Sequence, residues 1–139
     1  MMFWDSSAIV PLLVREAFTD DAVKFAKSDR EMILWAFTPV ECLSAIYRKS
    51  RDFAMDVKEL SLIRERLRQI QKASHEVLQF DLVRARAERL IAVHALRAAD
   101  SMQLAAALVV TEDNPAALPF VTFDKNLALA ALKEGFKIL

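Results

Sequence analysis

The spacing of apolar positions changes several times along the chain, and each change predicts an element. Phe3-Trp4 reads as the end of a short buried strand. The apolar run Met32–Phe37 and the segment Val77–Phe80 read as two more. Phe120, Val121 and Phe123 favour a fourth strand, because aromatic and β-branched side chains suit a pleated surface. Between these runs the period is helical. Ser6–Arg15 predicts a short helix that Pro11 bends or shortens. Thr19–Lys27 opens with Thr19, Asp20 and Asp21 and continues with Val23, Phe25 and Ala26. Thr38-Pro39 opens a helix carrying Glu41, Leu43, Ile46 and Tyr47, since proline suits a first helical turn. Leu60, Ile63, Leu67 and Ile70 recur at helical spacing. Asp81–His94, Asp100–Val110 and the stretch after Asp124 are helical as well. Thr111–Pro119 is a loop, and Phe136–Leu139 is a candidate edge strand. Strands alternating with helices predict an α/β fold with a mainly parallel sheet.

Composition narrows the classes. With 139 residues the expectation is one domain over 1–139, and 55% hydrophobic content allows a sizeable core. Cys42 is the only cysteine, so no intrachain disulfide forms and a reducing, cytoplasmic setting fits. The apolar N-terminus lacks a basic leader region and contains Asp5, which argues against a signal peptide. No apolar run reaches the ~20 residues that span a bilayer. The single glycine, Gly135, excludes glycine-rich phosphate loops. Net charge is zero but uneven: residues 48–97 hold 12 Lys/Arg against 7 Asp/Glu. Such a surplus marks either an anionic partner or solvated helix faces.

Four acids stand at element junctions: Asp5, Glu41, Asp100 and Asp124. In an open parallel sheet, helices start beside the carboxyl ends of strands, and ligands bind along that edge. The topology therefore predicts that the four share one rim. Each also has a plain structural reading. Asp5 and Asp124 suit helix N-caps, while Thr38 with Glu41 and Asp100 with Gln103 suit capping boxes. His75 and His94 are too far apart for a helical ligand pair, and Trp4 and Trp35 read as core.

Taken in order, "FWDSSAIVPLL", "TPVECLSAIYR", "LRAADSMQLAAAL" and "FVTFDKNLALAALKEGFKIL" resemble the four acidic motifs of PIN-domain ribonucleases, above all the VapC-like toxins of toxin–antitoxin pairs. Ser101 departs from the alanine frequent at its position. The resemblance covers nearly the whole chain. It implies a three-layer α/β/α sandwich, cleavage of RNA with Mg²⁺ or Mn²⁺, a cognate antitoxin and a homodimer. By motif position, Asp5, Glu41, Asp100 and Asp124 form the acidic, metal-holding site. Asp5 and Asp100 are the main ligands, with Asp124 and Glu41 completing the shell or orienting the nucleophile. Ser6 and Thr122 are candidates for bonding a ligating carboxylate or a phosphate, and Arg97 and Lys125 for holding RNA phosphates. Carboxylate oxygens suit hard cations, which is consistent with this chemistry. The alternatives are a non-catalytic RNA- or protein-binding module of the same fold, or a nuclease acting in RNA processing or on DNA.

Overall fold

A computed structural model describes residues 1–139. Four strands form one sheet: β1 (Met2–Trp4), β2 (Met32–Trp35), β3 (His75–Val77) and β4 (Phe120–Val121). Their order is β3-β2-β1-β4 and every pairing is parallel, with Phe3 opposite both Ile33 and Phe120. Seven helices surround it: α1 (Ser6–Leu13), α2 (Thr19–Ser28), α3 (Thr38–Phe53), α4 (Val57–Ala73), α5 (Phe80–Val93), α6 (Ala98–Val110) and α7 (Lys125–Lys133).

The period of two along each strand sorts side chains onto two faces. Phe3, Ile33, Trp35, Val77 and Phe120 pack on α5, α6 and α7 through residues such as Val83, Leu90, Leu104 and Leu127. Trp4, Leu34 and Val121 pack the other way, on Ile9 and Leu13 of α1, Ile46 of α3 and Leu67 of α4. The result is the expected α/β/α sandwich. Truncating a fully buried leucine such as Leu90 or Leu104 costs about 2–5 kcal/mol.

Several boundaries differ from the sequence expectation. β2 stops at Trp35 because Ala36-Phe37 turns to start α3. The third strand lies at His75–Val77 rather than Val77–Phe80, and Phe80 already belongs to α5. α2 opens at Thr19 as expected, although the Thr19 side chain makes no cap. Its hydroxyl donates to Pro11 O at 2.9 Å and accepts from Glu16 N, fastening the α1–α2 turn. The C-terminal edge strand is reduced to a single parallel bridge, Phe120–Ile138. Gly135 makes that return possible. It follows α7 at φ 102°, where a side chain is strained, and an added Cβ would meet Pro115 at 3.1 Å. Phe136 N then closes onto Ala131 O, a Schellman-type stop that turns Phe136 into the core. Both tryptophans are buried, and Trp4 donates its indole N–H to Asp29 at 2.8 Å. No helix is long and apolar enough to cross a membrane.

Candidate active site

Three of the four acids reach the sheet's carboxyl edge directly behind a strand. Asp5 follows β1, Glu41 lies in the first turn of α3 behind β2, and Asp124 follows β4. Asp100 arrives differently. Its helix α6 follows another helix, so the α5–α6 connection, not a strand end, delivers it. Glu41, Asp100 and Asp124 line one cleft of about 720 Å³ together with Ser6, Ser7 and Arg97. A second cleft of about 630 Å³ shares Arg97, Asp100 and Asp124 and continues past His94 and Asn126. Asp5 lies beneath the first cleft and is only 2% exposed.

Asp5 and Asp124 are genuine N-caps. Asp5 Oδ2 accepts from Ser7 N at 3.1 Å, and Asp124 Oδ1 accepts from Leu127 N at 2.8 Å. The two capping boxes do not form. Glu41 N bonds to Phe37 O, and its carboxylate turns inward, accepting from Ser6 Oγ at 3.0 Å and from Gln103 Nε2 at 3.1 Å. Asp100 lies in the first turn of α6, whose N-cap is Arg97, and the Ser101 hydroxyl serves Ala98 O instead. Helix capping therefore accounts for two of the acids, while Glu41 and Asp100 cap no helix.

Ser7 joins the first and last motifs. Its hydroxyl donates to Asp5 Oδ1 at 2.8 Å, lies 3.2 Å from Thr122 Oγ1 and accepts from Phe123 N at 2.8 Å. Thr122 Oγ1 in turn accepts from Asp124 N. Sequence reasoning missed Ser7 and Gln103. The signal for Gln103 was an amide side chain one turn after Asp100, where the apolar part of the helix begins. Of the remaining candidates, Ser6 bonds Glu41 and Arg97 lines both clefts, whereas Lys125 is exposed and lines neither. His75 is exposed; His94 is tied to Glu134 at 2.6 Å. Arg64 and Arg68, from the basic middle of the chain, line a separate groove with Pro39 and Leu43 that none of the four acids reaches.

The acids raise one another's energy. Burial pushes the Asp5 carboxyl up to about 6 against the pull of Ser7 and Thr122, and the charge of Asp124 adds to the rise. Burial likewise lifts Glu41 to about 7, opposed by Gln103 and Ser6 and reinforced by Asp5 and Asp100. Asp100 is raised by burial and then by Asp124, with Arg97 working the other way. Such mutual repulsion is what a cation between carboxylates removes. The donor set, all carboxylate oxygen, fits a hard divalent ion. No three of these side chains are drawn together as a ready-made cage in this conformation.

Fold and site together define an α/β/α domain whose acids gather along the carboxyl edge of a parallel sheet. The chain belongs to the PIN domain family, whose sequence pattern matches residues 2–133. PIN domains are generally metal-dependent nucleases. Two solved structures share the fold. FitAcB from Neisseria gonorrhoeae is 19% identical with a TM-score of 0.65, covering 100% of this chain and 96% of that one. PAE2754 from Pyrobaculum aerophilum is 20% identical with a TM-score of 0.61, covering 99% and 81%. No curated protein matches the sequence.

Proposed function

We propose that the whole chain acts as one Mg²⁺- or Mn²⁺-dependent endoribonuclease domain, the toxin of a toxin–antitoxin pair. The observation that carries this reading is the gathering of Glu41, Asp100 and Asp124 on one cleft, with Asp5 beneath it and electrostatically coupled to Asp124 and Glu41. These acids are as much as 119 positions apart, and the PIN family supplies the nuclease class. The toxin assignment draws on the order of the four acidic motifs, which resembles VapC-like toxins. On the same basis we propose a cognate antitoxin and a homodimer, and the single cysteine supports a reducing, cytoplasmic setting.

In this reading Asp5 and Asp100 would hold the cation, and Asp124 and Glu41 would complete its shell, directly or through water. The chemistry such an ion would supply there is charge for the scissile phosphate and a lowered pKa for an attacking water. Ser7 fixes the orientation of Asp5 and ties the first motif to the last. Glu41 is held at both oxygens by Ser6 and Gln103 and keeps a proton affinity near neutrality. That suits a group accepting a proton from the nucleophile. Arg97, between the two clefts, offers a cation to the phosphate backbone on either side of the acids.

Matched single-stranded RNA and DNA oligonucleotides, incubated with Mg²⁺, Mn²⁺ or EDTA, test the reading. It expects RNA to be cut within the strand, DNA to resist, and EDTA to stop cleavage. Intact RNA in both metals, or cleavage that persists in EDTA, overturns it.

A further inference from the structure

Beside the acids the same cleft carries an aromatic feature that the proposed chemistry does not use. Phe18 and Phe123 stack with ring centroids 4.6 Å apart and planes only 5° from parallel. The other aromatic pairs cross at 28–81°. Within the core, Phe3 and Phe120 stack at 28° and Phe120 meets Phe136 edge-on at 63°; the near-parallel Phe18–Phe123 pair stands at the surface. Phe18 is 45% exposed, and both rings line the cleft that holds Glu41, Asp100 and Asp124.

Both halves of the stack are fixed. Phe123 immediately precedes Asp124, and its N–H donates to Ser7 Oγ, the hydroxyl that also bonds Asp5. Phe18 is the N-cap residue of α2, where its carbonyl accepts from Ala22 N, and the turn before it is closed by Thr19. Glu16 anchors that turn to α3 through an ion pair with Lys49 at 2.8 Å. The platform is therefore held in place relative to the acids. Two cations without ion pairs share the cleft with the acids. Arg48 is exposed, lines the cleft and makes no ion pair, and Arg97, whose charge acts on Asp100, lines it too. A flat aromatic face next to unpaired arginines is the combination with which proteins hold single-stranded nucleic acid. An apolar peptide anchor would not need those cations.

We propose that Phe18, backed by Phe123, is a stacking platform for a nucleobase of single-stranded RNA, with Arg48 holding an adjacent phosphate. The proposal rests on the nuclease reading and adds to it a base subsite next to the acids. Every base presents a π-face, so the platform contributes affinity and register rather than sequence choice.

A random-sequence RNA 12-mer tests it, with Ca²⁺ replacing Mg²⁺ for binding and Mg²⁺ used for cleavage. Fluorescence anisotropy is expected to show Phe18→Ala weakening binding roughly 5- to 150-fold, the range of one stacked base. Phe18→Tyr should bind as the wild type does, and circular dichroism should be unchanged for both. A pool carrying 5-iodouridine should photocrosslink to the peptide containing Phe18, and Phe18→Ala should lose that crosslink. If the wild type binds and cuts the pool while Phe18→Ala does so equally well, the platform is overturned and the nuclease reading stands; the ring is then an apolar anchor for something other than RNA. If the wild type neither binds nor cuts, both fall together.

Discussion

Gln103 Nε2 lies 3.1 Å from Glu41 Oε1, and the amide that makes this bond has no exposed surface. The same nitrogen donates to Thr38 Oγ1 at 3.0 Å, so one buried side chain on α6 positions the start of α3 and its carboxylate. A polar group buried this deeply costs about 1–3 kcal/mol if left unpaired.

Replacing Gln103 by leucine should therefore do more than loosen packing. The Gln103 hydrogen bond is the leading influence that lowers the Glu41 pKa, so its loss pushes that carboxyl further above about 7. Residues that orient ligating groups typically cost 10–100-fold, as an order of magnitude, in metal affinity or activity when removed. Calorimetric titration with Mn²⁺ should show a loss in that range, and the acid limb of the pH–rate profile should move upward. An unmoved limb and unchanged affinity reduce Gln103 to core packing.

Stability without metal should depend on pH in an uncommon direction. Asp5 sits at about 6 against an ordinary 3.8, and Glu41 at about 7 against 4.5. Between those limits the folded protein binds more protons than the unfolded chain, so stability falls as pH rises. The strain is fully present above about 7 and relieved below about 4. Thermal melts in EDTA should rise as pH drops from 8 to about 5, and Mn²⁺ should flatten the trend by favouring the ionised carboxylates. A melting temperature in EDTA that falls over the same range contradicts the buried-acid account.

Asp124 is at once a cap and a member of the acidic rim, and the two roles separate by substitution. Asparagine caps about as well as aspartate but removes the charge. Asp124→Asn should melt in EDTA at or above the wild-type temperature, since it relieves Asp5 and Asp100. Its rise on adding Mn²⁺ should be smaller than that of the wild type. A clear loss in EDTA with a full Mn²⁺ response would leave Asp124 as a cap alone.

The two basic regions should behave differently toward RNA. Arg64 donates to Tyr47 Oη at 3.0 Å, and Arg68 is paired with Glu65, both beside a groove without the acids. Arg97 lines both acid clefts. Arg97→Glu should reduce the slope of log affinity against log salt by about one, whereas reversal at Arg64 and Arg68 should leave it unchanged.

Much of this was legible in the sequence because local signals agreed. Strand runs such as Met32–Trp35 and helical periods such as Ile63 and Leu67 needed no tertiary information, and the parallel sheet followed from their alternation. Boundaries slipped where an apolar run crossed a turn: Phe37 and Phe80 continue the pattern of their strands but start helices. The acids were visible, yet their neighbours misled. Thr38 with Glu41, and Asp100 with Gln103, have capping-box spacing, and only the packing of α3 against α6 turns Glu41 and Gln103 toward each other instead. Ser7 was hidden for a similar reason. Its partners Thr122 and Phe123 are more than 110 positions away, a distance no local pattern carries.

Cutting should need all four distant carboxylates together with the metal. Cleavage of a random-sequence RNA pool in Mg²⁺ by Asp5→Asn, Glu41→Gln, Asp100→Asn and Asp124→Asn tests it most directly, with Asp81→Asn beside them. Asp81 also follows a strand, but it is exposed and pairs only with Arg84. Each of the four should keep its fold by circular dichroism and lose cleavage by roughly 100-fold or more, while Asp81→Asn cuts like the wild type. A folded Asp5→Asn or Asp100→Asn that cuts at the wild-type rate contradicts the account.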